Sequence, residues 1–280
     1  GDLERQVAAL CQMQPGDAAS DDFLEKLLRS EMERISGETI RELRSRYEGS
    51  VFLVSGETEE AYAAEVRSNA TYVLDESAVE EVVTGNDGGV ANKDTGHGGW
   101  DLNDFCTRPQ AVGAHLSRAE VAALRLYTSS TFRLINGPLR CYLTPHPLAL
   151  TTLLISRALK KLRANHMQQR KFLSRYLWRG MKDLQISEKF LLRGGAEMAC
   201  MSTSNDIKVV AGYARSKAPL IFRIKVDSPM ELGADISWLS IFPGEAEVLY
   251  PPLTYLKPMF KQQIKDSDGI VVTVKPSFPS

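Results

Sequence analysis

Three short segments in the second half of the chain carry residue types that could do chemistry. Tyr176-Leu177-Trp178-Arg179-Gly180 sets an arginine inside an apolar stretch. A guanidinium there must be paired with a carboxylate or must face a cleft where an anion binds. Gly194-Gly195 is followed by Met201-Ser202-Thr203-Ser204, a run of adjacent hydroxyl residues. A helix N-cap before the segment Asn205 to Tyr213 accounts for Ser204, but it leaves Ser202 and Thr203 unexplained. Phe242 to Pro252 holds Glu245 and Glu247, two positions apart. On a strand such residues project to one face. Close carboxylates repel unless they are solvated or meet a cation. A solvated strand edge would satisfy the pair, yet its neighbours are apolar and prolyl. Together the segments offer an anion-binding fork, hydroxyls and a carboxylate pair suited to a cationic group.

The elements that must position these residues can be read from periodicity. Arg175 to Gly180, Leu220 to Val226, Ala246 to Tyr250 and Ile270 to Val274 are β-branched or aromatic segments and read as strands. The first half reads as helix. Leu3, Val7 and Leu10 form one stripe, and Phe23, Leu24, Leu27, Leu28 and Met32 form another. Thr39 to Tyr47 extends that region, Val51 to Val54 is a short apolar run, and Glu59 to Val66 and Glu76 to Val83 are short helical candidates. Ser117-Arg118-Ala119-Glu120 is a capping box opening a helix through about Ile135, which Asn136-Gly137-Pro138 should end. A further helix spans about Leu148 to Gln168, with Leu153, Leu154, Leu159 and Leu162 as its apolar face. Between the helical candidates, Thr84 to Trp100 holds six glycines and reads as a loop or linker. It lacks the lysine-bearing spacing of a phosphate-binding loop. Helices first and strands later predict an α+β protein.

Arg179, Ser202-Thr203-Ser204 and Glu245-Ala246-Glu247, in that order and spacing, resemble the Arg-Ser-Glu, cholera-toxin-like class of mono-ADP-ribosyltransferases. The resemblance extends back to Tyr127, Phe132 and Asn136 in a segment similar to the helix lining the NAD site of that class, and forward through Glu247-Val248-Leu249-Tyr250-Pro251-Pro252. It covers about residues 115 to 275. It implies two small, roughly perpendicular β-sheets around an NAD cleft, with a helical region in front. The expected division is residues 1–110, a helical region without usable resemblance that would recognise a target, regulate, cover the NAD site or complete the core, and 111–280 as the catalytic domain. By the same resemblance Arg179 would pair with the NAD phosphates, as a planar fork suits. Gly180 would offer backbone groups to the nicotinamide amide. Ser202 would position Glu247, and Glu247 would bond the ribose 2′-hydroxyl as oxocarbenium-like charge develops. Glu245 would dock an acceptor guanidinium and take its proton, the feature that goes with arginine as acceptor. Tyr213 and Arg215 fall where the class places an aromatic and a basic residue near the nicotinamide and phosphates. Trp238 and Phe242 lie in the loop that would face the protein substrate, where an aromatic would grip a target or pack under the sheet. Phe132 stands where many relatives carry Tyr, which leaves stacking only.

The implied activity is transfer of ADP-ribose from NAD, as co-substrate and without a metal, to an arginine of a target protein. An NAD glycohydrolase using water, and a silent binding module that kept the fold, are the alternatives. Bulk composition adds exclusions. Lys plus Arg number 34 against 35 Asp plus Glu, a net charge of -1, so no nucleic-acid partner is expected on electrostatic grounds. No apolar run approaches the ~20 residues of a transmembrane helix, and the first residues lack signal-peptide blocks. Four cysteines, at 11, 106, 141 and 200, fit free thiols in a reducing compartment, which favours an intracellular location. A Cys106–Cys141 disulfide stays open as the alternative. Asn69-Ala70-Thr71 is a lone glycosylation sequon. The target and source, whether bacterial effector or eukaryotic transferase, are not written in the sequence.

Overall fold

The capping box at Ser117 does what its spacing requires. The Glu120 amide donates to Ser117 Oγ at 3.2 Å, and the Ser117 amide donates to Glu120 Oε2 at 2.8 Å. The computed structural model describes residues 21–46, 53, 55–74, 83–84, 91–92, 94, 96–142, 145–167, 175–182, 184–211, 218–265 and 267–278. They fall into two compact units, residues 1–158 and 159–280. The stripe at Leu3, Val7 and Leu10, Cys11, Tyr213 and Arg215 lie outside the described residues, as does the helical candidate from Glu76 apart from Val83.

The first unit is helical. Helices α1 (Asp21–Glu33), α2 (Gly37–Arg46) and α3 (Glu59–Leu74) precede a two-residue strand pair, β1 (Val83–Thr84) with β2 (Ala91–Asn92). Val83 is thus strand rather than helix. Then come α4 (Leu102–Cys106), α5 (Pro109–Gly113), α6 (Arg118–Tyr127), α7 (Phe132–Arg140) and α8 (Ala149–Met167), which runs on into the second unit. The α1 stripe buries Leu24, Leu28 and Met32, while Phe23 is exposed. The helix expected to run from Ser117 through Ile135 is two helices. Thr128 Oγ1 donates to the Arg125 carbonyl at 2.8 Å and Ser129 Oγ to the Leu126 carbonyl at 2.7 Å. Hydroxyls that bond backbone carbonyls locally compete with helix continuation, and α7 restarts past Thr131. Pro138 therefore lies inside α7 rather than ending it. Residues 21–74 pack within this unit. Arg118 Nε meets Glu25 at 2.7 Å, and Arg133 Nη1 meets Glu57 at 2.6 Å.

Two other expectations are settled here. Cys106 and Cys141 carry free thiols, so they form no disulfide, and burial pushes the Cys106 thiol up to about 11. Asn69 is buried in α3, with its amide donating to Ser130 Oγ at 2.9 Å. That geometry leaves the sequon no accessible acceptor.

The second unit is a sheet with short helices. Its strands are β3 (Arg175–Met181), β4 (Gly195–Glu197), β5 (Met201–Ser204), β6 (Leu220–Val226), β7 (Ala234–Asp235), β8 (Glu247–Tyr250), β9 (Thr254–Gln263) and β10 (Ile270–Ser277). Helices α9 (Glu188–Arg193) and α10 (Ile207–Ala211) lie between them in sequence. The eight strands run β4-β9-β10-β6-β3-β5-β8-β7, with only β6 and β10 parallel. Strands β3 and β5 share a single register pair, Trp178 with Ser204. The sheet thus consists of a five-stranded and a three-stranded half joined at that pair. In β6, alternation puts Leu220, Phe222, Ile224 and Val226 into the core with Leu177, Val272 and Val274. Gly194 adopts φ +73°, where a Cβ would run into the Leu256 carbonyl and the Tyr255 ring. The Gly194-Gly195 pair is a structural corner.

Candidate functional site

The three chemistry-bearing segments converge where the sheet halves meet. Strand β3 delivers Arg179 and Gly180, β5 delivers Ser202, and β8 begins at Glu247. Arg179 Nη1 donates to the Ser202 carbonyl at 2.9 Å, which ties the guanidinium to the neighbouring strand. Across β5 and β8, Ser204 faces Glu247 and Ser202 faces Leu249. Directly paired residues share a face, as do residues two apart, so Ser202 and Glu247 are diagonal neighbours on one face. Thr203 points the other way, where its hydroxyl donates to the Val248 carbonyl at 2.6 Å.

Glu247 is buried, and its carboxyl is pushed up to about 7. Burial is the main cause and the nearby Glu245 charge adds to it, while the Ser202 hydrogen bond and the Arg179 charge pull the other way. A carboxyl poised near neutrality in a strand otherwise filled by Val248, Leu249 and Tyr250 is costly to the fold. Perturbed groups of this kind concentrate at functional sites.

Glu245 is placed differently from the expectation. It belongs to a single 3-10 turn, Pro243–Glu245, and not to the strand. Ala246 follows with φ 47° and ψ 50°, the left-handed region, and only then does β8 begin. Strand alternation therefore does not bring the two carboxylates together; a left-handed corner between them does. Glu245 is exposed, and its carboxyl is raised by partial desolvation. Two groups hang the corner from the end of β5. Ser204 Oγ donates to the Glu245 carbonyl at 2.6 Å, and the Asn205 amide donates to the Ala246 carbonyl at 3.2 Å. Sequence reasoning missed both Ser204 and Ala246 here. The hydroxyl run was the available signal for Ser204, whereas an alanine gives no hint of a left-handed backbone.

The loop before the glutamates is ordered from within. Trp238 is buried, with its indole N–H donating to the Asp235 carbonyl at 3.2 Å. Of the two places open to this aromatic, the ring stands in the packing. Phe242, at the start of the turn, is half-buried. Tyr127 and Asn136 belong to the first unit, where the buried Asn136 amide donates to the Tyr127 hydroxyl at 3.1 Å. Phe132 beside them is exposed, with its ring centroid 6.5 Å from that of Tyr127.

The Arg, Ser and Glu positions, and all of the sheet but the last three residues of β10, lie within residues 99–274, which match the family model for ART, NAD:arginine ADP-ribosyltransferase. The chain belongs to that family, and its α+β architecture is the ADP-ribosyltransferase fold. Among solved structures, it is similar to the ADP-ribosyltransferase HopU1 of Pseudomonas syringae, with 16% identity over 62% of this chain and 85% of that one, TM-score 0.49. It is also similar to the Vis toxin of Vibrio splendidus, with 18% identity over 63% and 82%, TM-score 0.47. The Clostridium limosum C3 exoenzyme shares 21% identity over 63% and 93%, TM-score 0.47. No curated protein matches the chain. None of the described helices is long and apolar enough to cross a membrane.

Proposed function

We propose that the protein transfers ADP-ribose from NAD to an arginine side chain of a target protein and releases nicotinamide. One observation carries this reading: the buried carboxylate of Glu247 is held by Ser202, itself tied to Arg179, with a second, exposed carboxylate at Glu245 one corner away. Each group has a task in that reaction. Arg179 holds the anionic dinucleotide by its phosphates, and the Gly180 backbone receives the nicotinamide amide. The bond between nicotinamide nitrogen and ribose C1′ breaks, and its electron pair leaves with nicotinamide. Glu247 stabilises the positive charge left on the sugar, an interaction stronger in the transition state than in bound NAD.

The acceptor is argued from Glu245. A guanidinium is charged near neutral pH and a poor nucleophile. An exposed carboxylate beside the reacting centre can dock it and accept the proton released as its nitrogen bonds to C1′. The NAD contacts that the resemblance assigns to Tyr127, Asn136, Tyr213 and Arg215 belong to the same proposal.

The test is release of nicotinamide from NAD with and without agmatine, followed by mass spectrometry of a lysate incubated with labelled NAD. Release that rises with agmatine, and label on arginine, are the expected results. Release that ignores agmatine would make the protein a glycohydrolase, and failure to bind NAD would make it a silent module.

A further inference from the structure

We propose that Ser204 is a positioning residue that holds Glu245 in register for the acceptor, while Glu247 keeps its place without it. The inference rests on the acceptor role given to Glu245 above. Ser204 stands where the two halves of the sheet join. It pairs with Trp178 across β3 and β5, and with Glu247 across β5 and β8. Its side chain is buried, and both of its hydrogen-bonding capacities are used. The Asp206 amide donates to Ser204 Oγ at 2.9 Å, and the hydroxyl donates to the Glu245 carbonyl at 2.6 Å. A backbone amide can only donate and a carbonyl can only accept, so the direction of both bonds is forced.

The bond to Asp206 is the local turn expected of a serine before a helix. The bond to Glu245 reaches 41 positions along the chain and does something else. It fixes the carbonyl of the residue whose side chain is to meet the acceptor. The rest of the corner is slight. The Glu245 amide donates to the Phe242 carbonyl at 3.0 Å, the Ala246 amide to Pro243 at 3.2 Å, and the Ala246 carbonyl accepts from Asn205 at 3.2 Å. Ala246 sits in the left-handed region, where a residue with a Cβ is held only by its surroundings. Glu247 has firmer support. It lies in the β5–β8 ladder, and its carbonyl accepts from the Ile236 amide at 3.0 Å. Removing the Ser204 hydroxyl thus loosens Glu245 before it loosens Glu247.

The consequence is a split between two activities of one site. Bond cleavage needs Glu247, whereas transfer to a guanidine needs Glu245 as well. With NAD and agmatine, Ser204→Ala should lower the ratio of ADP-ribosyl-agmatine formation to NAD hydrolysis by about tenfold, the size of one lost buried hydrogen bond. Ser204→Thr, which restores the hydroxyl, should recover most of that ratio. The corner can be tested independently of Ser204. Ala246→Gly suits the positive φ and should keep the ratio, while Ala246→Val, β-branched at that φ, should reproduce the loss. Equal loss of transfer and hydrolysis in both Ser204→Ala and Ala246→Val, or an unchanged ratio in both, would overturn the inference and leave the proposed function standing. A wild-type protein whose nicotinamide release does not respond to agmatine would overturn the arginine reading and this inference with it.

Discussion

Ser202 and Glu247 are diagonal neighbours across β5 and β8, and the Ser202 hydroxyl hydrogen-bonds the Glu247 carboxylate. That bond opposes the burial that drives the carboxyl upward. If ionised Glu247 stabilises the sugar charge, nicotinamide release should climb through about pH 7, with about a tenfold gain between pH 6 and pH 8. Ser202→Ala removes a contact that favours the charged form. Its pH–rate profile should shift to higher pH, with activity at pH 7 reduced more than activity at pH 9. An unshifted profile would show that the Ser202 hydroxyl does not act through Glu247.

Glu247→Gln should abolish nicotinamide release and at the same time steady the fold, because the pKa shift is also a stability statement. The carboxyl moves from 4.5 to about 7 on folding. A raised value favours the protonated form, so its contribution is complete below pH 4.5 and is lost as pH rises through about 7. The shift amounts to about 3 kcal/mol of fold stability given up above neutrality. Glutamine is neutral throughout. The variant should unfold at higher temperature than wild type at pH 8, and the difference should shrink at pH 5. Thermal melts of both proteins at the two pH values, beside a nicotinamide assay, read this directly. A variant less stable than wild type at pH 8 would contradict a strained, function-bearing carboxylate.

Much of this site is legible in residue order, and the reasons are local. Arg179 and Glu247 sit on segments whose β-branched or aromatic content marks them as strands before any packing is known, whereas the short strand that carries Ser202 has no such mark. The Ser117–Glu120 capping box is a four-residue pattern with its own hydrogen bonds. What escapes reading is long-range or conformational. Strand alternation suggests that Glu245 and Glu247 share a face, but the left-handed backbone of Ala246 places Glu245 off the strand. A loop aromatic such as Trp238 can dock a target or pack under the sheet, and only the folded structure shows it buried against its own turn. The break at Thr128 depends on hydroxyl-to-carbonyl bonds that compete with a helix otherwise encoded by periodicity.

Glu245→Gln separates transfer from cleavage in the catalytic pair itself. The exposed side chain makes the substitution mild for the fold. An amide can still accept a hydrogen bond from a guanidinium, but it carries no charge to dock it and cannot take its proton. Transfer to agmatine should fall about a hundredfold, within the range assigned to a lost general base, while NAD hydrolysis stays within about threefold of wild type, half a typical 1.4 kcal/mol decade. Parallel assays of ADP-ribosyl-agmatine and free ADP-ribose check this. Full transfer to agmatine by the glutamine variant would remove Glu245 from the acceptor role.

Besides its apolar core and ion pairs, the helical region ahead of the matched segment supplies the fold with a buried carboxylate. Glu31, on α1, accepts from the Leu150 amide at 2.8 Å, from the Thr151 amide at 2.8 Å and from the Thr151 hydroxyl at 2.6 Å. The first amides of a helix have no intrahelical partner, and here a distant side chain supplies one and meets the positive end of the α8 dipole. Burial raises the Glu31 carboxyl, and these bonds resist the rise. Glu31→Ala would leave two buried amides and a hydroxyl without that acceptor, at about 2 to 4 kcal/mol. The Leu150 and Thr151 amides should then exchange with deuterium at least about thirtyfold faster, as a 2 kcal/mol loss requires. Amides within the β6–β10 ladder, in the other compact unit, should keep their protection. Uniform loss of protection across both units would instead mean that Glu31 supports the whole chain, and an unchanged rate at Leu150 would mean that α8 does not need the cap.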